Sequence, residues 1–226
     1  MCKRFFGFVG VGLILVCAGI GGGVVHTRRQ AKMLLENLKG LDKNIDPASS
    51  FSAFKERHRD QLAKEECAND LCQYEFVVNN WIIATLHLAP RTEIRATVTL
   101  FHGGLDVAGV EYTSGIFKAN SPIVHVQEDF CADRSDIPCD HFGLNPHRRN
   151  VAPTWNGIVE FGQSATDEQK RAAWTLNLDC LASHYGCKDI SQLLPEIWKA
   201  TGPGLVSSRM RSTADSITEA SQPLSE

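Results

Sequence analysis

The chain has 226 residues, with 26 acidic side chains against 23 basic ones and a formal charge of −3. That balance, with no basic stripe and no run of interleaved aromatics, excludes nucleic-acid binding of the usual electrostatic kind. Without an apolar N-terminal segment and a polar C-terminal tail, about 150 residues remain, enough for one domain with its own core.

Residues 5–25 contain no charged side chain. At the helical rise of 1.5 Å such a run covers about 32 Å, close to the roughly 30 Å hydrocarbon core of a bilayer. It starts behind Lys3 and Arg4 at the extreme N-terminus and has no polar face, which argues against a buried core helix. Residues 1–27 therefore read as a transmembrane anchor or signal segment. The signal reading has its own support: Val16-Cys17-Ala18 offers small residues to a signal peptidase, and the glycines at 19 and 21–23 weaken the helix. Cys17 also raises a lipid-modified cysteine, although Val16 is large for the position before it. Gly19 and Gly23 match the small-xxx-small spacing of packed membrane helices, as expected by chance in so glycine-rich a run.

Flanking charge gives a mixed signal on topology. Lys3 and Arg4 precede the run, whereas Arg28, Arg29 and Lys32 follow it, and that count favours the body inside the cell. The cysteines favour the opposite side. Six of the eight lie downstream of the run, in the pairs Cys67/Cys72, Cys131/Cys139 and Cys180/Cys187. The expected location is a single-pass membrane protein with its C-terminal domain outside the cytoplasm, or a secreted protein after signal cleavage.

Residues 28–46 read as a juxtamembrane helix and linker, with Met33, Leu34, Leu38 and Leu41 on a rough stripe and with Gly40 and Asp46-Pro47 as breaks. A second helix is expected over residues 50–64, burying Phe51, Phe54, His58 and Leu62. Its charges (Lys55, Glu56, Arg57, Arg59, Asp60) form a solvated face. The period then changes from helical to alternating, and residues 73–79, 81–88, 93–101, 105–113, 123–128 and 155–161 read as strands. In the third of these, Ile94, Ala96, Val98 and Leu100 share one face, against Arg95, Thr97 and Thr99 on the other. His102-Gly103-Gly104 suits a tight hairpin, because glycine supplies the positive φ it needs. Asn79-Asn80 and Ala89-Pro90-Arg91 suit turns.

These elements predict an α+β fold: an N-terminal transmembrane helix, then an antiparallel β-meander of about five to six strands packed with helices and stapled by disulfides, over residues 47–202. Thr166 and Gln169 spell a capping box. Trp174, Leu178, Leu181 and Tyr185 extend a helical face from it, and Gly186 can end that helix in the left-handed conformation. Cys187 would then fold back onto Cys180 and staple the helix end. Asp189 is placed to cap a short helix, and Pro195 to begin another that reaches Trp198. Residues 203–226 read as a disordered tail.

Six thiols allow fifteen pairings, among which proximity favours nearest neighbours. Each short loop is worth about 2 to 2.6 kcal/mol by chain entropy. Free thiols in a cytosolic protein are the alternative. So is a zinc site at Cys131, Cys139, His141 and His147, whose spacing lacks the usual opening knuckle.

Residues 130–154 show no clear secondary structure, and long ordered loops are often functional. Asp133, Arg134, Asp136, Asp140, His141, His147, Arg148 and Arg149 fall there. Asp140, His141, His147 and Arg148 are the candidate ligand-binding residues; a charged, solvated excursion is the plainer reading. Their acidic spacing does not match a calcium loop. His102-Gly103-Gly104 matches part of an esterase oxyanion element, but G-x-S-x-G is missing, as are P-loop, G-x-G-x-x-G and H-E-x-x-H motifs. His58, His87, His125 and His184 read as ordinary packed or surface histidines. No catalytic residue, metal or cofactor is assigned.

Three functional readings follow. The leading one is a membrane-tethered extracytoplasmic domain, without evident catalysis, that binds a ligand or protein partner and meets the membrane through residues 5–25. In the second the chain is structural. An N-terminal apolar helix, an antiparallel sheet and a C-terminal cysteine pair make the layout similar in outline to pilin subunits, although Gly12 stands where pilins carry Glu. In the third, a hydrolase uses the 130–154 loop with Asp140 and His141.

Overall fold

A computed structural model describes residues 2–41, 47–114, 123–130, 142–148, 155–162, 165–181, 186–187 and 190–197. Chain order begins with α1 (Cys2–Lys39), α2 (Pro47–Arg57), β1 (Leu62–Ala68), β2 (Leu71–Asn79) and α3 (Trp81–Thr85). It continues with β3 (Thr92–Phe101), β4 (Gly104–Ser114), β5 (Ile123–Asp129), β6 (Phe142–Arg148), β7 (Trp155–Phe161), α4 (Asp167–Ala173) and α5 (Ile190–Leu193). The fold is α+β around one seven-stranded sheet of order β1-β2-β3-β4-β5-β7-β6.

From β1 to β5 every neighbour is antiparallel, as the alternating pattern predicts. The sheet as a whole is mixed rather than antiparallel, because β7 runs parallel to β5 and separates it from β6. Alternation buries Tyr74, Phe76, Val78, Ile94, Ala96 and Val98 on one face. Two helices cover that face. Phe51 of α2 meets Tyr74 at a tilt and Phe54 meets Phe76 edge-on, at ring distances of 4.6 and 5.0 Å. Ala31, Leu34, Leu35, Leu38 and Leu41, at the C-terminal end of α1 and just beyond it, join the same core. The helical part of the 28–46 stretch therefore packs in the core, while Met33 faces out and residues 42–46 lie outside the described residues.

Four expectations need correction. Residues 81–88 are not a strand: α3 and a turn occupy them, despite β-favouring Trp81, Ile82 and Ile83. Tertiary hydrogen bonds to Asn80, described below, override that local preference. The second helix ends at Arg57, and Leu62–Ala68 is a strand. β1 is an exposed edge with no buried face, so it carries charge instead of alternation. Residues 142–148, read as loop, form β6. It is the opposite edge of the sheet, where Pro146 is tolerated because an edge strand needs only one row of ladder bonds.

The fourth correction concerns the helix after Thr166. The capping box is present in both directions, Gln169 N–H to Thr166 Oγ1 and Thr166 N–H to Gln169 Oε1. The helix nevertheless stops at Ala173. Thr175 Oγ1 donates to Arg171 O at 2.7 Å and Asn177 Oδ1 accepts from Asp179 N at 3.1 Å, local bonds that compete with helix continuation. Cys180 then sits in a 3₁₀ turn, Leu178–Leu181, so its bridge to Cys187 does not staple a long helix.

Two of the three expected disulfides are formed. Cys67–Cys72 joins directly opposed residues of the β1–β2 hairpin, and Cys180–Cys187 joins Cα atoms 5.0 Å apart across the left-handed Gly186. Cys131 and Cys139 lie outside the described residues, as do Tyr185, Asp189, Trp198 and the tail. Among the described residues no helix is long and apolar enough to cross a membrane. The 5–25 run belongs to α1, whose side chains are described from Cys17 onward.

Candidate functional site

Of the residues proposed from sequence to bind a ligand, Asp140 and His141 lie outside the described residues. His147 and Arg148 pair through their backbones with Asn156 and Trp155, which places both on the outer strand, with side chains outside the described set. Among the described residues no group of His, Cys, Asp and Glu could hold a metal ion.

The second face of the sheet carries a different set of polar groups. The register β2-β3-β4-β5 aligns Val77, Arg95, Glu111 and His125 across four strands. That alignment depends on a bulge. Leu100 pairs with Leu105 but Thr99 pairs with Val107, so Asp106 is the extra residue and every later position of β4 is shifted by one. Without it Arg95 would oppose Val110.

Arg95 donates to Glu93 Oε1 at 2.9 Å and lies 3.7 Å from Glu75 Oε2. The Glu93 hydrogen bond, more than any other cause, raises the guanidinium pKa, and Glu75 and Glu111 add to it against partial burial. Glu111 also accepts from Thr113 Oγ1 at 3.3 Å. Beside this group, His125 Nε2 lies 2.9 Å from Gln127 Oε1, and Gln127 Nε2 donates to Asp129 Oδ1 at 2.6 Å. At Gly109 the β5 backbone comes close: an added Cβ would lie 3.2 Å from Val126 O, while the His125 ring, 3.6 Å away, stays at ordinary contact distance.

Gln127 stands between His125 and Asp129, so the hydrogen-bonded neighbour of the ring is a neutral amide. Glu66, Glu75, Glu93, Glu111, Asp129 and Glu160 share the face with Arg95 and Lys64, which leaves it acidic.

A second polar centre is buried at the end of β3 and β4. Asn80 accepts from Thr92 N at 2.8 Å and donates through Nδ2 to Pro90 O at 3.0 Å and Leu181 O at 2.8 Å. It therefore ties the 81–90 excursion to the turn that holds Cys180. Close by, burial raises the pKa of the Tyr112 hydroxyl, and the neighbouring Ser114 side chain, Cys187 backbone and Thr92 side chain oppose the rise. A Cβ on Gly186 would come within 3.0 Å of Ser114 Oγ, so the positive φ and the close approach both require glycine. Held by the three Asn80 bonds and closed by a disulfide, this centre is built as a structural lock, in which the buried Tyr112 hydroxyl has no partner at hydrogen-bond geometry.

Glu128 is a third group missed in the sequence. It is buried on the core face, where it accepts from Lys170 Nζ at 2.9 Å and Trp174 Nε1 at 3.1 Å, docking α4 on the sheet. Alternation could mark which residues of each strand face outward, but only the register could bring Arg95, Glu111 and His125 into one row.

Comparison with protein-family models, curated proteins and solved structures finds no match for this chain.

Proposed function

We propose that this chain is a membrane-tethered, extracytoplasmic binding domain without evident catalysis, anchored through residues 5–25. The acidic face of its sheet would meet a ligand or protein partner rich in basic or hydrogen-bond-donating groups. The observation that carries the reading is the continuity of α1. One helix of 38 residues includes the apolar run and ends inside the domain core, so a tether there would be continuous with the fold. Two disulfides supply the compartment argument, because such bridges persist where the solvent is oxidising. The face supplies the binding argument: complementary charge steers a partner and selects against wrong ones.

Thiol counting on the full chain tests the compartment. Cys67, Cys72, Cys180 and Cys187 are expected to resist alkylation in denaturant until a reductant is added. A C-terminal reporter is expected to be reached by impermeant reagents from outside intact cells; access only from the interior would overturn the reading. For the binding face, Glu75→Gln with Glu111→Gln is expected to reduce retention of a lysine-rich peptide without reducing thermal stability, and unchanged retention rules the face out.

One observation favours a second reading, a subunit of a pilin-like assembly. α1 runs unbroken, its second half packs on the sheet, and Cys17 is free and exposed ahead of that half. Oxidising membranes that carry the chain with Cys2→Ser would trap Cys17-linked dimers if helices bundle. Exclusively monomeric protein excludes it.

A further inference from the structure

We propose that the α3 corner, residues 81–88, is a second membrane contact, a shallow wedge that lies in the lipid interface beside the point where α1 leaves the domain. The inference rests on the tether reading and adds to it a partner surface, the headgroup and upper acyl zone of a bilayer. Four large apolar side chains crowd this corner in solvent: Trp81 is 60% exposed, Leu86 48%, Leu88 42% and Ile82 37%. Scattered single apolar residues need no explanation, but four within eight positions mark a contact surface.

The position of the corner indicates what covers it. The nearest side-chain atom to a Cβ built on Gly23 is Ile82 Cδ1, at 3.5 Å, so α3 lies directly against α1. Gly23 is two residues from Val25, where the apolar run ends, about 3 Å along the helix axis. His26, Arg28 and Arg29 follow within the next turn, at the level where basic side chains meet lipid headgroups. Trp81 therefore sits at the depth where tryptophan is enriched in membrane proteins, with an apolar ring and an N–H that prefers water. On another side of the same helix, Arg28 pairs with Asp179 of the 3₁₀ turn. The domain thus grips α1 where the helix emerges.

The exposure is also built in. Asn80 is buried and holds both ends of the excursion, through Thr92 and Pro90. His87 takes a left-handed φ of 56° between the two exposed leucines. A corner fixed this firmly cannot fold its side chains inward, so their apolar surface is held out. A surface of protein elsewhere would not need to lie level with the end of the apolar run.

Depth-dependent quenching tests the proposal. The full chain is reconstituted in vesicles of phosphatidylcholine and phosphatidylglycerol, with bromine on the lipid acyl chains near the carbonyl or near the terminus. Trp81→Phe separates residue 81 from the other three tryptophans. The near-carbonyl bromines are expected to remove most of the Trp81 emission, and the terminal bromines little of it. Leu86→Ser with Leu88→Ser is expected to weaken that quenching while leaving both disulfides formed. If the chain resists carbonate extraction and Trp81 is not quenched, the wedge is wrong and the tether stands. If carbonate extracts the chain, tether and wedge fall together. A Trp81→p-benzoylphenylalanine variant that crosslinks to protein rather than lipid assigns the corner to a protein partner and overturns the proposal.

Discussion

The two disulfides are chemically alike and do different work. Cys67–Cys72 spans five positions on the exposed edge hairpin, where ladder hydrogen bonds already hold the same pair of strands. Cys180–Cys187 spans seven and is buried, and its first cysteine sits in the 3₁₀ turn Leu178–Leu181. Loop entropy alone values them almost equally, at about 2.2 and about 2.5 kcal/mol. Any larger difference between them must come from what each bridge holds in place.

That separation gives the largest expected effect. Cys180→Ala with Cys187→Ala is expected to cost about 4 kcal/mol: the entropy of the closed loop, plus packing lost by two buried sulfurs. It should also release the cover over Asn80 and Tyr112. Urea unfolding of the oxidised parent and the variant measures it, and a loss no greater than that of the edge bridge would erase the distinction.

Asn80→Ala comes next, at about 3 kcal/mol, because it leaves the Thr92 N–H and the Leu181 carbonyl without the Asn80 partner in a buried site, while Pro90 O keeps only the Thr92 hydroxyl. If the buried polar lock and the bridge support the same cover, the double variant should lose less than the sum of the two. Strict additivity, measured in a thermodynamic cycle, would show them to be independent. For the edge bridge, Cys67→Ser with Cys72→Ser is expected to cost only about 1 kcal/mol, because a frayed edge opens locally without exposing the core. Hydrogen exchange should show the loss confined to β1 and the start of β2.

The same contrast explains how much of the molecule was readable beforehand. β2 to β5 were legible because one buried face imposes a period of two on the sequence, as Ile94, Ala96 and Val98 show. The hairpin at His102-Gly103 was legible because both residues take positive φ, which its glycine makes possible. The two edges were not legible: β1 exposes almost all its side chains and β6 contains Pro146, so neither writes an alternation. α3 was misread because β-branched and aromatic residues suit a strand, and only the distant Leu181 and Pro90 carbonyls make Asn80 turn the chain there. The acidic face was half legible. Alternation put Arg95 outward, but the bulge at Asp106 decides that Glu111 stands beside it, and no local signal announces that residue. As for the pairs of cysteines, proximity was a sound guide to Cys67–Cys72 and Cys180–Cys187, although the structure around the second differs from the helix end that motivated it.

The smallest expected effect concerns the packing of α1 against α2, away from both bridges. His58 is buried, with Phe54 and Phe76 around its ring. Arg57 donates to Asn37 Oδ1 at 3.0 Å, which turns the Asn37 amide NH₂ toward His58 Nε2, 2.9 Å away. Nε2 must then accept, so the ring proton is on Nδ1 and is donated to Gln61 Oε1 at 3.0 Å. A second proton on Nε2 would confront a donor. Burial lowers the His58 pKa below its ordinary 6.5, Gln61 opposing the shift and Arg57 adding to it. As pH falls through 6.5 the unfolded chain takes up this proton first, so it binds more protons than the folded one and stability declines. Urea midpoints for the parent should therefore drop between about pH 7 and about pH 5, more steeply than those of His58→Gln. Parallel profiles would show that this histidine does not titrate differently in the folded chain, and would leave the contact between α1 and α2 insensitive to acid.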